Sequence, residues 1–221
     1  MNQMKSIKGV RQVLEKLAED NNFTKVPYDL SEIVDILKIS WVDEIEISPK
    51  VISTDENVVF GRYKRYQLPE VYSSKDCVKI DYASSLNICE RRFVIAKELC
   101  HIFLHKTNNV SSEQNGLTIT EDDLEFLISA LSSRGEILSV NKSPAYLCEI
   151  VAKHLACELL FPYEFRELYK NKYENNEVPD YELALLFRIP EAVVVQIMSP
   201  EYFDFSEGVM KTFNISPIEI T

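Results

Sequence analysis

The sequence predicts an α+β fold, mostly helical with one small sheet, and three patterns carry that prediction. Apolar residues recur at helical spacing in four long stretches, 5–20, 26–41, 90–105 and 143–162. Between Ile45 and Asp81 the pattern shifts to short apolar runs, EIEI, KVIS, VVFGRY and CVKID, punctuated by Gly61 and Pro69 and read as three or four strands. Beyond Pro162 helical patterns return and include a helix, turn, helix pair. At 221 residues and 46% hydrophobic content the chain has enough apolar material for one core and a small appendage. We divide it into a main domain over 1–165, with an insertion at 106–142, and a C-terminal helical subdomain and tail over 166–221.

The first helix, over residues 5–20, shows one face as Val10, Val13, Leu14, Leu17 and Ala18. The second has Asp29 as its cap and Glu32 three residues later, the spacing of a capping box, with Leu30, Ile33, Val34 and Leu37 on its apolar side. After the strands, Asn87 and Glu90 repeat the capping spacing and open a helix through His105. The insertion holds TITEDDLEFLISALSS, where Thr120 and the acids after it open a helix carrying Leu124, Leu127, Ala130 and Leu131. Ser143 as cap and Pro144 at the first helical position start the next helix, which Pro162 ends. PYEFRELYKNKYE reads as a further helix and DYELALLFRIPEAVVVQI as the pair, with Pro190 starting its second member. From Ser199 onward the chain is a polar and aromatic tail, with a strand expected at VMKTFNI.

The helix after Asn87 carries the chemistry. At 100° per residue, Lys97, Glu98, His101 and His105 lie within about 100° of one another and share one face. In HExxH zinc peptidases two histidines at i and i+4 on such a face hold the metal, and the Glu between them is the general base. Here the first of those positions is Lys97. An ammonium has no lone pair, and deprotonating it at pH 7 costs about 4 to 5 kcal/mol before any bond to zinc forms.

The run RRFVIAKELCHIFLH resembles the RRFTLAHELGHLLLH-like signature of the ImmA/IrrE family of bacterial metallo-endopeptidases. A second stretch, SPAYLCEIVAKHLACELLFP, resembles that family's ExxANxxAAELLMP-like helix through Glu149, Ala152, Ala156, Glu158, Leu159, Leu160 and Pro162. The resemblance implies a zincin-like core, with Glu98 as base and His101 and Glu149 as zinc ligands. Lys97 stands at the other ligand position, Lys153 where the family has Asn or Asp, and Cys100 where it has Gly. It also implies that the C-terminal pair is helix-turn-helix-like, and that the partner or substrate is a helix-turn-helix repressor.

Two outcomes follow for the site. In the favoured one Lys97, with Lys153, supplies the positive charge that zinc would otherwise bring, no zinc is bound, and the protein regulates by binding a partner without cutting it. In the alternative the protein is an active zinc-dependent endopeptidase, with His105 joining His101 and Glu149 as a displaced ligand set. His154 reads as a surface or capping histidine.

A net charge of −11 argues against broad contact with DNA or anionic lipid, and only Arg188 is basic across residues 180–198. Five cysteines, an odd number without CxxC spacing, fit reduced thiols. With no apolar leader segment and no run of eighteen apolar residues, a cytoplasmic protein is expected, away from membranes.

Overall fold

A computed structural model describes residues 5–20, 25–51, 60–104 and 144–220. The expected insertion over 106–142, the cap Ser143 and His105 lie outside the described residues.

Helix α1 (Lys5–Glu19) and helix α2 (Leu30–Ser40) lead into strand β1 (Glu44–Lys50), strand β2 (Gly61–Pro69) and strand β3 (Ser74–Ala83). Helix α3 (Ile88–Leu104) and helix α4 (Pro144–Leu160) follow. Helices α5 (Tyr163–Glu174), α6 (Asp180–Phe187), α7 (Glu191–Ile197) and α8 (Pro200–Phe213) complete the described elements. Among the described residues the fold is therefore mostly helical with a three-stranded sheet, as expected.

The starts of α2 and α3 are set locally. Asp29 accepts from Ser31 N while its own N–H donates to Glu32. Asn87 accepts from the amides of Cys89 and Glu90, and its N–H donates to Glu90 at 3.0 Å. Each box satisfies amides that a helix end leaves open.

In the sheet β3 is central, parallel to β1 and antiparallel to β2, so β1 and β2 are the edges among the described residues. Alternation sends Val78 and Ile80 of β3, with Tyr63 and Arg65 of β2, to the face that meets α3. The other face carries charge pairs such as Lys79 with Glu46.

Helix α3 packs along α4 and is covered by α1, which approaches so closely that a Cβ on Gly9 would lie 2.4 Å from the Phe103 ring. One apolar cluster runs from Ile7 of α1 through α3 and α4 to Val209 of α8.

Two buried ion pairs bind the C-terminal helices to this core. Arg11 of α1 donates to both carboxylate oxygens of Glu164, at 3.1 and 2.6 Å. Arg166, fully buried, reaches Glu158, Ser206 and the carbonyl of Phe161.

The expected strand at VMKTFNI is corrected, because residues 209–213 belong to α8. Ser199 caps that helix, Pro200 pre-sets its first turn, and Tyr202, Phe203, Ser206 and Val209 form its buried stripe. The β-branched residues in the run carry less weight than this period, which a cap and an apolar groove reinforce. His154 is likewise not a surface or capping group. Its ring packs against Tyr202 and Phe205 of α8, at centroid distances of 5.5 and 5.3 Å.

Candidate functional site

Helix α3 presents Lys97, Glu98 and His101 toward α4 and the start of β2, and α4 answers with Glu149. Glu98 and His101 are each 1% exposed, whereas the Glu149 side chain keeps 41% of its surface. Lys97 Nζ lies 2.5 Å from Glu149 Oε2 and 2.9 Å from Glu98 Oε1. His101 Nε2 lies 3.1 Å from the other oxygen of Glu149 and 3.8 Å from Glu98 Oε2. The ammonium thus bridges two carboxylates from different helices, and Glu149 is held from both sides.

The electrostatics follow from this geometry. Burial by itself would lower the Lys97 pKa, but the charges of Glu98 and Glu149 outweigh it and hold the group above its ordinary value. For Glu149, burial would raise the pKa, and the His101 hydrogen bond with the Lys97 charge outweighs it, bringing the carboxyl down to about 2.

Of the other expected residues, Lys153 stands one turn along α4 from Glu149 and makes its charge felt at His154 and Cys157. The ion pairs that Glu98 and Glu149 make among the described residues are with Lys97 and His101. Cys100 is fully buried, and burial pushes its thiol well above the ordinary value, as suits a core residue.

Two residues of β2 complete the site: Gly61, expected only to punctuate the strands, and Tyr63, which the sequence did not single out. The Tyr63 ring, 1% exposed, lies 5.4 Å from the His101 ring. Gly61 backs onto Glu98: a Cβ there would lie 2.6 Å from Glu98 Oε1 and 2.6 Å from a Val94 methyl. A Gly opening a strand was the visible signal, but a turn would explain it equally well. Gly61→Ala is expected to destabilise the protein by about 1–3 kcal/mol through overpacking, measured by chemical denaturation. A loss under about 0.5 kcal/mol would show that β2 does not abut Glu98, because ordinary surface changes fall in that range.

Zinc is the ion that the fold of the resembled family implies. These residues, as arranged, do not fit it. The position between the carboxylates is filled by Lys97 Nζ, an ammonium with no lone pair to give a metal. Among the described residues no group of three His, Cys, Asp or Glu side chains is placed to hold a metal ion. Neither oxygen of Glu98 has a well-aligned hydrogen bond among those residues, so its charge leans on the ammonium. The carboxylate lies under Gly61 and beside Lys97.

Residues 80–199, more than half of the chain, match the model of a peptidase family described as the IrrE N-terminal-like domain. The match takes in both signature helices and extends through α7. Neither the search of curated proteins nor that of solved structures returned a match. No helix among the described residues is long and apolar enough to cross a membrane.

Proposed function

The chain belongs to the ImmA/IrrE family through its IrrE N-terminal-like domain, and from that premise we propose that it is a regulatory member whose peptidase site is closed by lysine. The single observation that carries this is the place of Lys97 Nζ, within 2.9 Å of both Glu98 and Glu149. In a zincin-like core those carboxylates face a divalent cation; here one ammonium supplies positive charge without a Lewis acid. The protein then binds a partner and leaves it intact.

What remains of the peptidase is a surface for an extended chain. Among the described residues strand β2 is an edge, and its first residue lies over Glu98. A peptide that adds to that edge gains main-chain hydrogen bonds along β2. By family resemblance the partner is a helix-turn-helix repressor. The helix pair α6 and α7, similar to the family's helix-turn-helix-like tail, suits protein contact better than DNA, because phosphate binding needs several basic side chains and Arg188 stands alone across 180–198.

Elemental analysis of protein purified without chelator tests this, beside a Lys97→His variant. The parent is expected to be metal-free and the variant to take up about one zinc per chain, since an imidazole restores a ligand where the ammonium stood. Stoichiometric zinc in the parent would overturn the proposal and favour the active endopeptidase, with His105 the first replacement ligand to test.

A further inference from the structure

Helices α6 and α7 each bury one side and leave the other uncovered. In α6, Leu183, Ala184 and Phe187 enter the apolar cluster, while Tyr181 and Leu185 stay 54% and 69% exposed. In α7, Val193, Val194 and Ile197 enter the same cluster, while Val195 stays 51% exposed and Ala192 is exposed beside it. At 100° per residue, Tyr181, Glu182 and Leu185 centre about 160° from the buried residues of α6, and Ala192 with Val195 about 180° from those of α7.

A short turn joins the two helices. Arg188 adopts a φ of 50°, and the N–H of Ile189 donates back to Ala184 O at 3.1 Å. The helices pack on each other and on one cluster, so their outer sides face the same way. A single exposed apolar residue needs no explanation, but apolar rows on two packed helices mark a face for a partner.

The charge around this face selects the occupant. Glu174, Glu177, Asp180, Glu182 and Glu191 lie in or beside the pair, and Arg188 is the sole basic residue across 174–199. Asp180 accepts from the Tyr173 hydroxyl and Glu182 from that of Tyr181, bonds that leave both negative charges in place. Nucleic acid and anionic lipid are repelled here, and so is a second copy of the chain, which brings its own net charge of −11. A cationic partner is attracted and oriented by the same field. A helix whose apolar residues recur three and four apart can lay that stripe between the rows and turn its cations to the acids.

We propose that the outer face of α6 and α7 binds a basic amphipathic helix of a partner protein, its apolar stripe on Tyr181, Leu185 and Val195 and its cations against Glu182 and Glu191. This rests on the partner-binding part of the proposed function and not on Lys97. Metal analysis tests the closed site and peptide titration tests this face, so either can fail alone.

Fluorescence anisotropy on the full chain tests it at about 150 mM salt, where long-range attraction is screened. Three labelled peptides of about five turns serve as probes: a helix with a leucine stripe and a lysine face, the same helix with glutamate for lysine, and the lysine peptide with serine for leucine. The first is expected to bind saturably and the other two at least about tenfold more weakly. Leu185→Glu and Val195→Glu, one on each helix, add negative charge and remove an apolar anchor. Attraction to net charge alone would tighten binding in both, whereas docking on this face should weaken each about tenfold. Ile39→Glu makes the same charge change on α2, at a residue 83% exposed, and should stay within about twofold of the parent. No saturable binding of the leucine–lysine helix, equal binding of the serine peptide, or a variant on either helix that binds as tightly as the parent would each overturn the proposal. Dimers in sedimentation that Leu185→Glu dissolves would assign the face to a second copy and overturn it too. Should a variant fail to fold, the comparison of probes on the parent decides alone.

Discussion

Lys97→Met is expected to lower the stability of the protein by about 2–4 kcal/mol, which for a chain of this size is a fall in Tm of roughly 5–15 °C. Methionine keeps most of the packing volume and removes only the ammonium. Glu98, 1% exposed, is then left facing Glu149 with no cation between them. The lower part of the usual range for breaking a buried pair applies, because Glu149 keeps 41% and Lys97 22% of their side chains in contact with solvent. The double variant Lys97→Met with Glu98→Gln should recover much of the loss by removing the stranded charge. Thermal and denaturant unfolding would check both; an unchanged Tm in Lys97→Met would mean that the bridge holds nothing together.

The same bridge sets a pH window. Glu149 titrates lower in the folded than in the unfolded chain, so its contribution is full above an unfolded value of about 4.3. It is lost as pH falls through about 2. Lys97 titrates higher when folded, so its contribution is full below about 10.4. That contribution is lost as pH rises through its elevated folded value. The stability gap between the parent and Lys97→Met should therefore be flat across neutral pH and shrink toward both extremes.

Arg166→Met carries the other large effect, a loss of about 3–5 kcal/mol. Arg166 is fully buried, 4.9 Å from the Tyr202 ring and 5.6 Å from the Phe203 ring, and it donates to Glu158, Ser206 and the Phe161 carbonyl. Through these contacts one guanidinium ties α4 and the turn after it to α5 and α8. Removing it strands the Glu158 carboxylate, whose side chain is 12% exposed, and frees an acceptor carbonyl inside the core. Hydrogen exchange should show the largest rise in α8, and Glu158→Gln in the same chain should restore part of the loss. Equal exchange rates in α8 of parent and variant would show that this helix is held by apolar packing alone.

Much of the fold was legible because its signals are local. Asp29 with Glu32 and Asn87 with Glu90 mark helix starts within four residues, and the stripe of Val10, Val13, Leu14 and Leu17 gives α1 its face. Where local signals competed, sequence reasoning failed. Val209 to Ile215 looks like a strand by composition, and only the groove that takes Tyr202, Phe203, Ser206 and Val209 makes its first residues helix. His154 seemed free because nothing near it in sequence announces Tyr202 and Phe205.

For the site, the sequence by itself determined which groups stand on one face of α3, since 3.6 residues per turn put Lys97, Glu98 and His101 together wherever that helix goes. Membership of the family was legible too, in two signature stretches. Only the tertiary structure decided that Glu149 comes within 2.5 Å of Lys97 from 52 residues away, and that Gly61 and Tyr63 of an edge strand close over Glu98 and His101. Those contacts depend on how α3, α4 and the sheet pack, and packing is a property of whole faces in three dimensions that no spacing along the chain encodes.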